Sequence, residues 1–471
     1  MRVAILQAAA VDESLALCDL SGALLAAGHA TRLFLDDQER DLTGALRTWR
    51  PDLVFVQAAY MAEPWTRAVV RGLPAPAVLV GTAATFDAEL VHRAGAFGAL
   101  QGELDLCGPA LCDALERGAD LASVPALVWR DGGTLRSNPW GEPPDLDVLP
   151  LPDRALYFER YPFLGRFPWK RFATGRGCVH SCGFCYLPPL RDAYGGARPH
   201  VRRKSVDRVL AEIAAVRSRW PVERIHFADD LFAPSRSWLE ELAERYPREV
   251  GVPFTCNTSP ETVTEENAAL LARAGARVVG IGLETGVEAN RTQLLGRPTK
   301  DEAIRRAAER LHRNGVELLT FNMVANPGEP LDDALQTLRL NQDIGATYPR
   351  VNLAYPAPDS HLERLMEDRG IPALAPDAHV RSEWRAWCAE GDPAPFEVLQ
   401  RLFRFATRNR VPPAVVKGLA RTLPPALLAP FALYDASVEA RWSGVGPLDA
   451  LRYARHAGKP NRRVTYHESL P

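Results

Sequence analysis

Three cysteines in one short segment carry the strongest chemical signal in the chain. Cys178, Cys182 and Cys185 lie within residues 175–186, whose sequence is GRGCVHSCGFCY. Iron–sulfur clusters are usually held by four Cys thiolates. Three closely spaced Cys in a glycine-containing loop therefore favour a [4Fe-4S] cubane in which one iron is left open for a small molecule.

A structural zinc site is the alternative for the same three cysteines. Such a site needs four nitrogen or sulfur ligands in tetrahedral geometry, and His180 is the candidate for the fourth. His180 lies between two of the cysteines, too close along the chain to bind easily together with both. No second Cys-x2-Cys pair follows at zinc-ribbon spacing. The spacing therefore favours the cluster over zinc.

Length and composition are those of a globular protein with several domains. The chain has 471 residues, 46% hydrophobic and 24% charged, and this length predicts about three domains. The formal net charge of -2 predicts no partner among nucleic acids or anionic membranes. No apolar run approaches the ~18 residues that a membrane span requires, and no signal peptide is evident. We therefore expect a cytoplasmic protein with reduced cysteines.

The first 125 residues alternate short apolar strands with helical segments. Strands are predicted at residues 2–7, 31–35, 53–57, 77–81 and 98–101, with helices at 14–27 and 87–94. This alternation predicts an open, doubly wound, Rossmann-like α/β domain that binds a ligand at the carboxyl ends of its strands. Residues 126–166 predict a linker, with two short strands around an Asp-Gly-Gly turn and a stiff, proline-rich stretch.

Residues 167–373 predict a partial (β/α)6 barrel. Strands are expected near Phe172 and at residues 224–228, 253–256, 277–283, 316–322 and 350–354. Chemistry in such barrels gathers at the carboxyl ends of the strands. The cysteine loop follows the first strand, Asp229 and Asp230 follow the second, and Glu284 follows the fourth. Residues 374–471 carry no catalytic motif, and we expect a mainly helical segment that packs against the barrel.

These motifs together resemble those of radical S-adenosylmethionine (SAM) enzymes with an N-terminal cobalamin-binding domain. The Cys-x3-Cys-x2-Cys spacing, with an aromatic residue before the last Cys, matches this family. Residues 25–31, 80–86, 100–105 and 149–156 are similar to segments of its N-terminal domain and linker. Residues 227–232, 280–286 and 326–330 are similar to its barrel motifs. The resemblance covers roughly residues 1–370.

The resemblance implies roles for residues around SAM. The three cysteines would hold the cluster, whose open iron would chelate the methionine part of SAM, and one electron would then cleave SAM to a 5′-deoxyadenosyl radical. Asp229 or Asp230 would accept hydrogen bonds from the SAM ammonium. Glu284 would accept from the ribose hydroxyls, and Phe184 and Tyr186 would line the adenine side. Adjacent aspartates after a strand also cap helices, and a glutamate between glycines can be a solvated turn residue.

The same resemblance implies cobalamin contacts in the first domain. These would come from Gly81, Thr82 and Thr85 in the loop after the fourth strand, and from Gly102 and Glu103 in the turn that closes the domain. The string Asp-x-His-x-x-Gly, which supplies a lower cobalt ligand in some cobalamin proteins, does not occur in the chain. We therefore expect the lower face of the cobalt to carry water or no ligand.

The expected activity is that of a cobalamin-dependent methyltransferase at an unactivated carbon of a small metabolite. An external electron donor such as a flavodoxin or ferredoxin would reduce the cluster. One alternative is a cobalamin-independent radical SAM dehydratase or rearrangement enzyme on a sugar-like or other biosynthetic intermediate, with a vestigial N-terminal domain. Another is a non-enzymatic cluster or zinc module that binds a partner, and the barrel motifs beside the cysteine loop count against it.

Overall fold

The described residues form two large sheets, a separate two-stranded pair and a helical C-terminal segment. The computed structural model describes residues 1–371, except residues 11, 60, 61, 197–200 and 358, and residues 391–438, except residues 429, 432 and 436. Much of the predicted C-terminal segment, residues 374–390 and 439–471, lies outside the described residues. The predicted α/β fold class is confirmed.

The first sheet is the doubly wound, Rossmann-like domain that the sequence predicts. Its parallel strands are β1 (Arg2–Gln7), β2 (Ala30–Leu35), β3 (Leu53–Gln57), β4 (Ala77–Val80) and β5 (Gly98–Leu100). They lie in the order β2-β1-β3-β4-β5. The intervening helices are α1 (Leu15–Ala26), α2 (Leu42–Trp49), α3 (Glu63–Val70), α4 (Thr82–Phe86) and α5 (Leu90–Ala94), and α6 (Leu104–Arg117) follows β5. Helices cover both faces of a parallel sheet, and the central residues of β1 and β3 are fully buried accordingly.

The hairpin inside the predicted linker extends this sheet. Its strands, β6 (Leu127–Asp131) and β7 (Thr134–Ser137), are antiparallel, and β6 pairs with β5. Without the hairpin, β5 would be an edge strand with unpaired backbone groups. Pairing with β6 satisfies those groups. The first sheet therefore continues past residue 125, where the sequence placed the end of the domain.

The rest of the linker joins the two sheets through one buried core. It contains two short helices, α7 (Ala155–Phe158) and α8 (Pro162–Gly165). Ser21 on α1 donates a hydrogen bond to Asp153 at 2.7 Å, and Tyr157 donates to Gln7 at the end of β1 at 2.7 Å. A single cluster of buried apolar residues runs from the first sheet through α7 into the second sheet.

The second sheet is the predicted partial barrel. Its six parallel strands are β8 (Trp169–Phe172), β11 (Arg224–Phe227), β12 (Phe254–Thr258), β13 (Ala276–Glu284), β14 (Glu317–Val324) and β15 (Tyr348–Leu353), in the order β15-β14-β13-β12-β11-β8. A separate antiparallel pair, β9 (Gly175–Arg176) and β10 (Arg202–Arg203), flanks the cysteine loop and the helix after it. The helices are α9 (Leu187–Ala193), α10 (Val206–Arg217), α11 (Arg236–Glu249), α12 (Glu265–Ala274), α13 (Glu288–Gln293), α14 (Asp301–Arg313), α15 (Leu331–Asp343) and α16 (His361–Asp368).

The described part of the C-terminal segment is helical and packs against the barrel. Helices α17 (Ala394–Arg408) and α18 (Pro413–Thr422) bury Phe396, Leu402 and Phe403 against apolar residues of α15 and β15. Among the described helices, none is both long enough and apolar enough to cross a membrane.

Two glycines inside helices test how closely the linker packs on α1. A Cβ at Gly22 would lie 2.4 Å from the carbonyl oxygen of Leu151, whereas a Cβ at Gly418 on α18 would meet nothing within 4 Å. Ala favours a helix over Gly by about 1 kcal/mol, but overpacking costs about 1–3 kcal/mol. We expect Gly22→Ala to lower the urea midpoint of unfolding and Gly418→Ala to leave it unchanged or raise it. Equal midpoints for the two variants would contradict this packing.

Candidate active site at the junction of the two sheets

The cysteine loop joins β9 to α9 and is shaped by backbone contacts from two sides. The amide of Gly183 donates to the carbonyl of Leu295 at 2.8 Å, and the amide of Leu362 donates to the carbonyl of Gly183 at 2.7 Å. A Cβ at Gly183 would lie 3.3 Å from both Leu295 and His361. Glycine is therefore needed where the loop passes between the segment after α13 and the start of α16.

The three cysteines are free thiols in a largely buried environment. Burial raises the pKa of Cys178, raises that of Cys182 to about 11 and raises that of Cys185 to about 12. Neutral thiols are expected here without a metal, because thiolates in apolar surroundings need a nearby positive charge. Iron would supply that charge, and ligation would release the protons.

The sulfur atoms of the three cysteines are spread more widely than the ligands of one metal ion. Among the described residues, only His29, Asp113 and Glu116 bring three possible metal-ligand atoms within 4.8 Å of one another. Zinc–sulfur bonds of about 2.3 Å in a tetrahedron would hold sulfur atoms about 3.8 Å apart. The three cysteine sulfurs, with or without His180, are not gathered that closely.

The adjacent aspartates after β11 have different hydrogen-bond partners and different surroundings. Asp229 accepts from the amide of Thr174 at 3.0 Å and from its hydroxyl at 2.5 Å, and it lies 3.7 Å from Arg203. Its carboxylate is thus used to hold the end of β8. Asp230 accepts from the amide of Gly177 at 3.2 Å and lines an internal cavity. Burial raises the pKa of Asp230 to about 6. Of the two, Asp230 faces the space beside Cys178.

The predicted aromatic pair separates in the fold. The Tyr186 hydroxyl donates to Asp230 at 3.4 Å, and its ring meets the edge of Phe86 with the ring centres 6.5 Å apart. Tyr186 therefore lines the cavity. Phe184 instead packs in a separate apolar cluster with residues such as Leu295 and Met366. The two rings therefore lie in different surroundings.

Glu284 ends β13 in a left-handed backbone conformation, with φ of 65°. This conformation is uncommon for a residue with a side chain. The carboxylate is buried and pairs with Arg297 at 3.1 Å. The same Arg297 nitrogen lies 4.0 Å from the sulfur of Cys182. Sequence reasoning missed Arg297, because it belongs to no motif and lies 115 residues from Cys182.

A cavity opens between the cysteine loop and the carboxyl ends of the first sheet. The cavity is partly open to solvent. On the first domain, its lining includes all five residues that the sequence assigned to cobalamin: Gly81, Thr82, Thr85, Gly102 and Glu103. On the barrel side it includes Cys178, Tyr186 and Asp230. Both halves of the predicted site therefore contribute to one cavity, but five predicted barrel residues do not line it: Cys182, Phe184, Cys185, Asp229 and Glu284.

The two glycines that the first domain contributes to this cavity wall have backbone conformations that suit glycine. Gly81 has φ of 99° and Gly102 has φ of 71°. A Cβ at Gly102 would lie 2.6 Å from the hydroxyl of Tyr194 and 2.9 Å from the ring of Trp140. Thr85 connects the two turns, because its hydroxyl accepts from the amide of Gly102 at 3.1 Å. These contacts hold the two turns together, and the glycines leave no side chains between the turns and the neighbouring residues.

Glu103 lies at the cavity as predicted, but its carboxylate is engaged elsewhere. One oxygen accepts from Arg176 at 2.5 Å, and the other accepts from Arg202. Arg176 also binds Asp105 at 2.6 Å and Asp19 at 2.9 Å. These ion pairs connect the first domain to the strands that flank the cysteine loop. The side chain of Glu103 therefore serves the contact between the domains.

Comparison with known sequences places the second sheet in a family. Residues 172–340 match the sequence profile of the radical SAM superfamily. An uncharacterized methyltransferase of Pyrococcus horikoshii is 24% identical over 361 residues, which are 74% of this chain and 74% of that protein. The cytidylyl-2-hydroxyethylphosphonate methyltransferase of Streptomyces wedmorensis is 24% identical over 237 residues, which are 47% of this chain and 43% of that protein.

Solved structures share the fold over most of the chain. TsrM from Kitasatospora setae, a radical SAM methyltransferase solved with tryptophan and a SAM analogue, has a TM-score of 0.67 at 20% identity, over 79% of this chain and 77% of that one. OxsB, a cobalamin-dependent SAM radical enzyme solved with aqua-cobalamin, has a TM-score of 0.61 at 16% identity, over 78% of this chain and 56% of that one. The chain thus carries a radical SAM domain at residues 172–340, within the fold that TsrM and OxsB share.

Proposed function

We propose that this chain is a cobalamin-dependent radical SAM methyltransferase that acts at an unactivated carbon of a small metabolite. The observation that carries the proposal is the shared cavity. It places the carboxyl ends of the first sheet opposite Cys178, Tyr186 and Asp230. Relatives named as methyltransferases, and a solved TsrM with cobalamin and a [4Fe-4S] cluster bound, support this assignment.

The residues at the junction fit the proposed groups. Three partly or fully buried thiols whose sulfur atoms are not gathered as for one metal ion suit a [4Fe-4S] cluster with an open iron. The cavity wall at Gly81 and Gly102 lets backbone come close to a large ligand such as cobalamin. Bound together, these groups supply reductive cleavage of SAM to a 5′-deoxyadenosyl radical and a methyl group for transfer to a carbon radical.

In this proposal, the chain's own residues bind and orient SAM. Asp230 presents a carboxylate beside the cluster loop, where it accepts hydrogen bonds from the SAM ammonium. Glu284 offers its carboxylate to the ribose hydroxyls, Tyr186 covers the adenine side, and Phe184 supports the loop from behind. Asp229 keeps the end of β8 in place. Holding both reactants in a fixed geometry, away from bulk water, is the protein's main contribution to such a reaction.

Loading the protein with its cofactors tests the proposal. The protein would be purified without oxygen, reconstituted with iron, sulfide and hydroxocobalamin, and desalted before counting metals and corrin. We expect four irons and one corrin per chain, with methyl transfer driven by a low-potential electron donor such as flavodoxin or ferredoxin. Four irons without corrin would favour a cobalamin-independent radical enzyme. Zinc in place of iron would contradict both.

Serine substitutions identify the cluster ligands. Each of the variants Cys178→Ser, Cys182→Ser and Cys185→Ser should lose most of its iron and the visible absorbance of the cluster, because only three thiolates are available to hold it. Cys112→Ala is the control, since Cys112 is buried in α6 and away from the loop. Iron analysis and visible spectra check this. Full iron content in any of the three serine variants would exclude that cysteine as a ligand.

A pair of glycine variants tests cobalamin binding at the first sheet. Gly81 and Gly28 both have positive φ, so Ala strains the backbone by about 1–3 kcal/mol at either position. Only Gly81 lines the cavity, and a Cβ there would lie 3.2 Å from the carbonyl of Ala58. We expect Gly81→Ala to retain less corrin than Gly28→Ala after desalting, with equal iron. Equal corrin retention would place cobalamin elsewhere.

An amide in place of Asp230 tests SAM binding. Asp230→Asn keeps the size but removes the charge that would meet the SAM ammonium. A hydrogen bond to a charged group contributes about 1.5–3 kcal/mol, so the dissociation constant of SAM should rise roughly 10- to 150-fold. Asp343→Asn, at an exposed ion pair with Arg305, is the control. Calorimetry on the reconstituted protein measures both, and unchanged SAM affinity in Asp230→Asn would remove Asp230 from the site.

A further inference from the structure

Arg297 brings a positive charge up to the cysteine loop from the barrel side. Its Nη1 lies 4.0 Å from the sulfur of Cys182 and 3.1 Å from the carboxylate of Glu284. The side chain is only 11% exposed. A charge this well buried is screened weakly by solvent and salt, so it acts strongly on groups a few ångströms away.

The fold holds Arg297 in this position from several directions. Its amide donates to the carbonyl of Arg291 at 2.9 Å, and its Nε donates to Thr299 at 3.4 Å. Thr299 in turn donates to Glu261 at 2.6 Å. A Cβ at Gly282 on β13 would lie 2.6 Å from Nη1 of Arg297. Glycine at this position therefore leaves room for the guanidinium.

The loop that carries Arg297 is fastened directly to the cysteine loop. Leu295 accepts from the amide of Gly183 at 2.8 Å, and Gly296 has φ of 58°. A Cβ at Gly296 would lie 3.2 Å from that same Gly183 nitrogen. The backbone that carries Arg297 is therefore held beside the cysteine loop, which keeps its guanidinium within reach of Cys182.

A fixed cation beside a ligand sulfur changes how readily a cluster accepts an electron. One-electron reduction adds negative charge to the iron and sulfur atoms, and hydrogen bonds and charges near the sulfurs shift the reduction potential. Glu284 places a carboxylate, which carries the opposite charge, against the same guanidinium nitrogen of Arg297. The positive charge of Arg297 and the negative charge of Glu284 therefore shift the reduction potential of the cluster in opposite directions.

We propose that Arg297 is a positioning residue that raises the reduction potential of the cluster through Cys182. It does so by holding a buried positive charge against that ligand, while Glu284 partly offsets the charge. The inference rests on the proposed function, because it requires a [4Fe-4S] cluster on the three cysteines. The electron comes from a low-potential one-electron donor, and the cluster gains one negative charge as the donor is oxidised.

The potential of the reconstituted cluster tests this directly. The protein would be titrated with dithionite in the absence of SAM, and the reduced cluster would be followed by electron paramagnetic resonance. We expect a more negative midpoint for Arg297→Gln, a midpoint near that of the unaltered protein for Arg297→Lys, and a more positive midpoint for Glu284→Gln. Arg191→Gln is the matched control, since Arg191 contacts Ser181 of the same loop from the surface. Its screened charge should shift the midpoint less than half as far.

The possible outcomes separate the two proposals. Unaltered protein that holds no four-iron cluster would overturn the proposed function and this inference with it. A full cluster whose midpoint is the same in Arg297→Gln and the unaltered protein would overturn the inference alone. If Arg297→Gln loses iron, Thr299→Val decides, because it keeps the guanidinium but removes the support of its Nε, together with the hydrogen bond to Glu261. A shift to more negative potential in that variant supports the inference, and no shift overturns it.

Discussion

A buried guanidinium ties the cysteine loop to the first sheet, and the geometry of the site depends on it. Arg176 stands two residues before Cys178 and binds Asp19 on α1 together with Glu103 and Asp105 at the start of α6. Taking charges out of water costs several kcal/mol per ion, and only well-placed partners offset this cost. The carboxylates therefore hold Arg176 in one place, and the loop that follows it is held with them.

This connection explains why one cavity serves both halves of the chain. Parallel strands direct their ligands to their carboxyl ends, and the first sheet and the barrel turn those ends toward each other across the cysteine loop. Asp230 and Tyr186 face the cavity from the barrel, while Gly81 and Gly102 face it from the first sheet. On its other side, the loop rests on the segment around Leu295.

The parts that sequence predicted well depend on local signals. Apolar strands alternating with helical segments gave the element order of both sheets, and the cysteine spacing singled out the loop between β9 and α9. Which of two adjacent aspartates faces the cavity was not predictable, because it depends on the amides of Thr174 and Gly177, which the fold brings to them. Contacts between distant segments were equally hidden. Arg297, which pairs with Glu284, and Arg202, which pairs with Glu103, lie outside every motif, and the hairpin predicted within the linker extends the first sheet.

The central claim is that the cavity holds a corrin opposite the cluster, and the magnetic interaction between the two tests it most directly. Protein reconstituted with iron, sulfide and cobalamin would be reduced until both cob(II)alamin and the cluster carry an unpaired electron. Electron paramagnetic resonance should then show one cob(II)alamin per chain, with its signal split or broadened by the nearby reduced cluster. A fully loaded cluster with no bound corrin, or two signals that do not influence each other, would contradict the account.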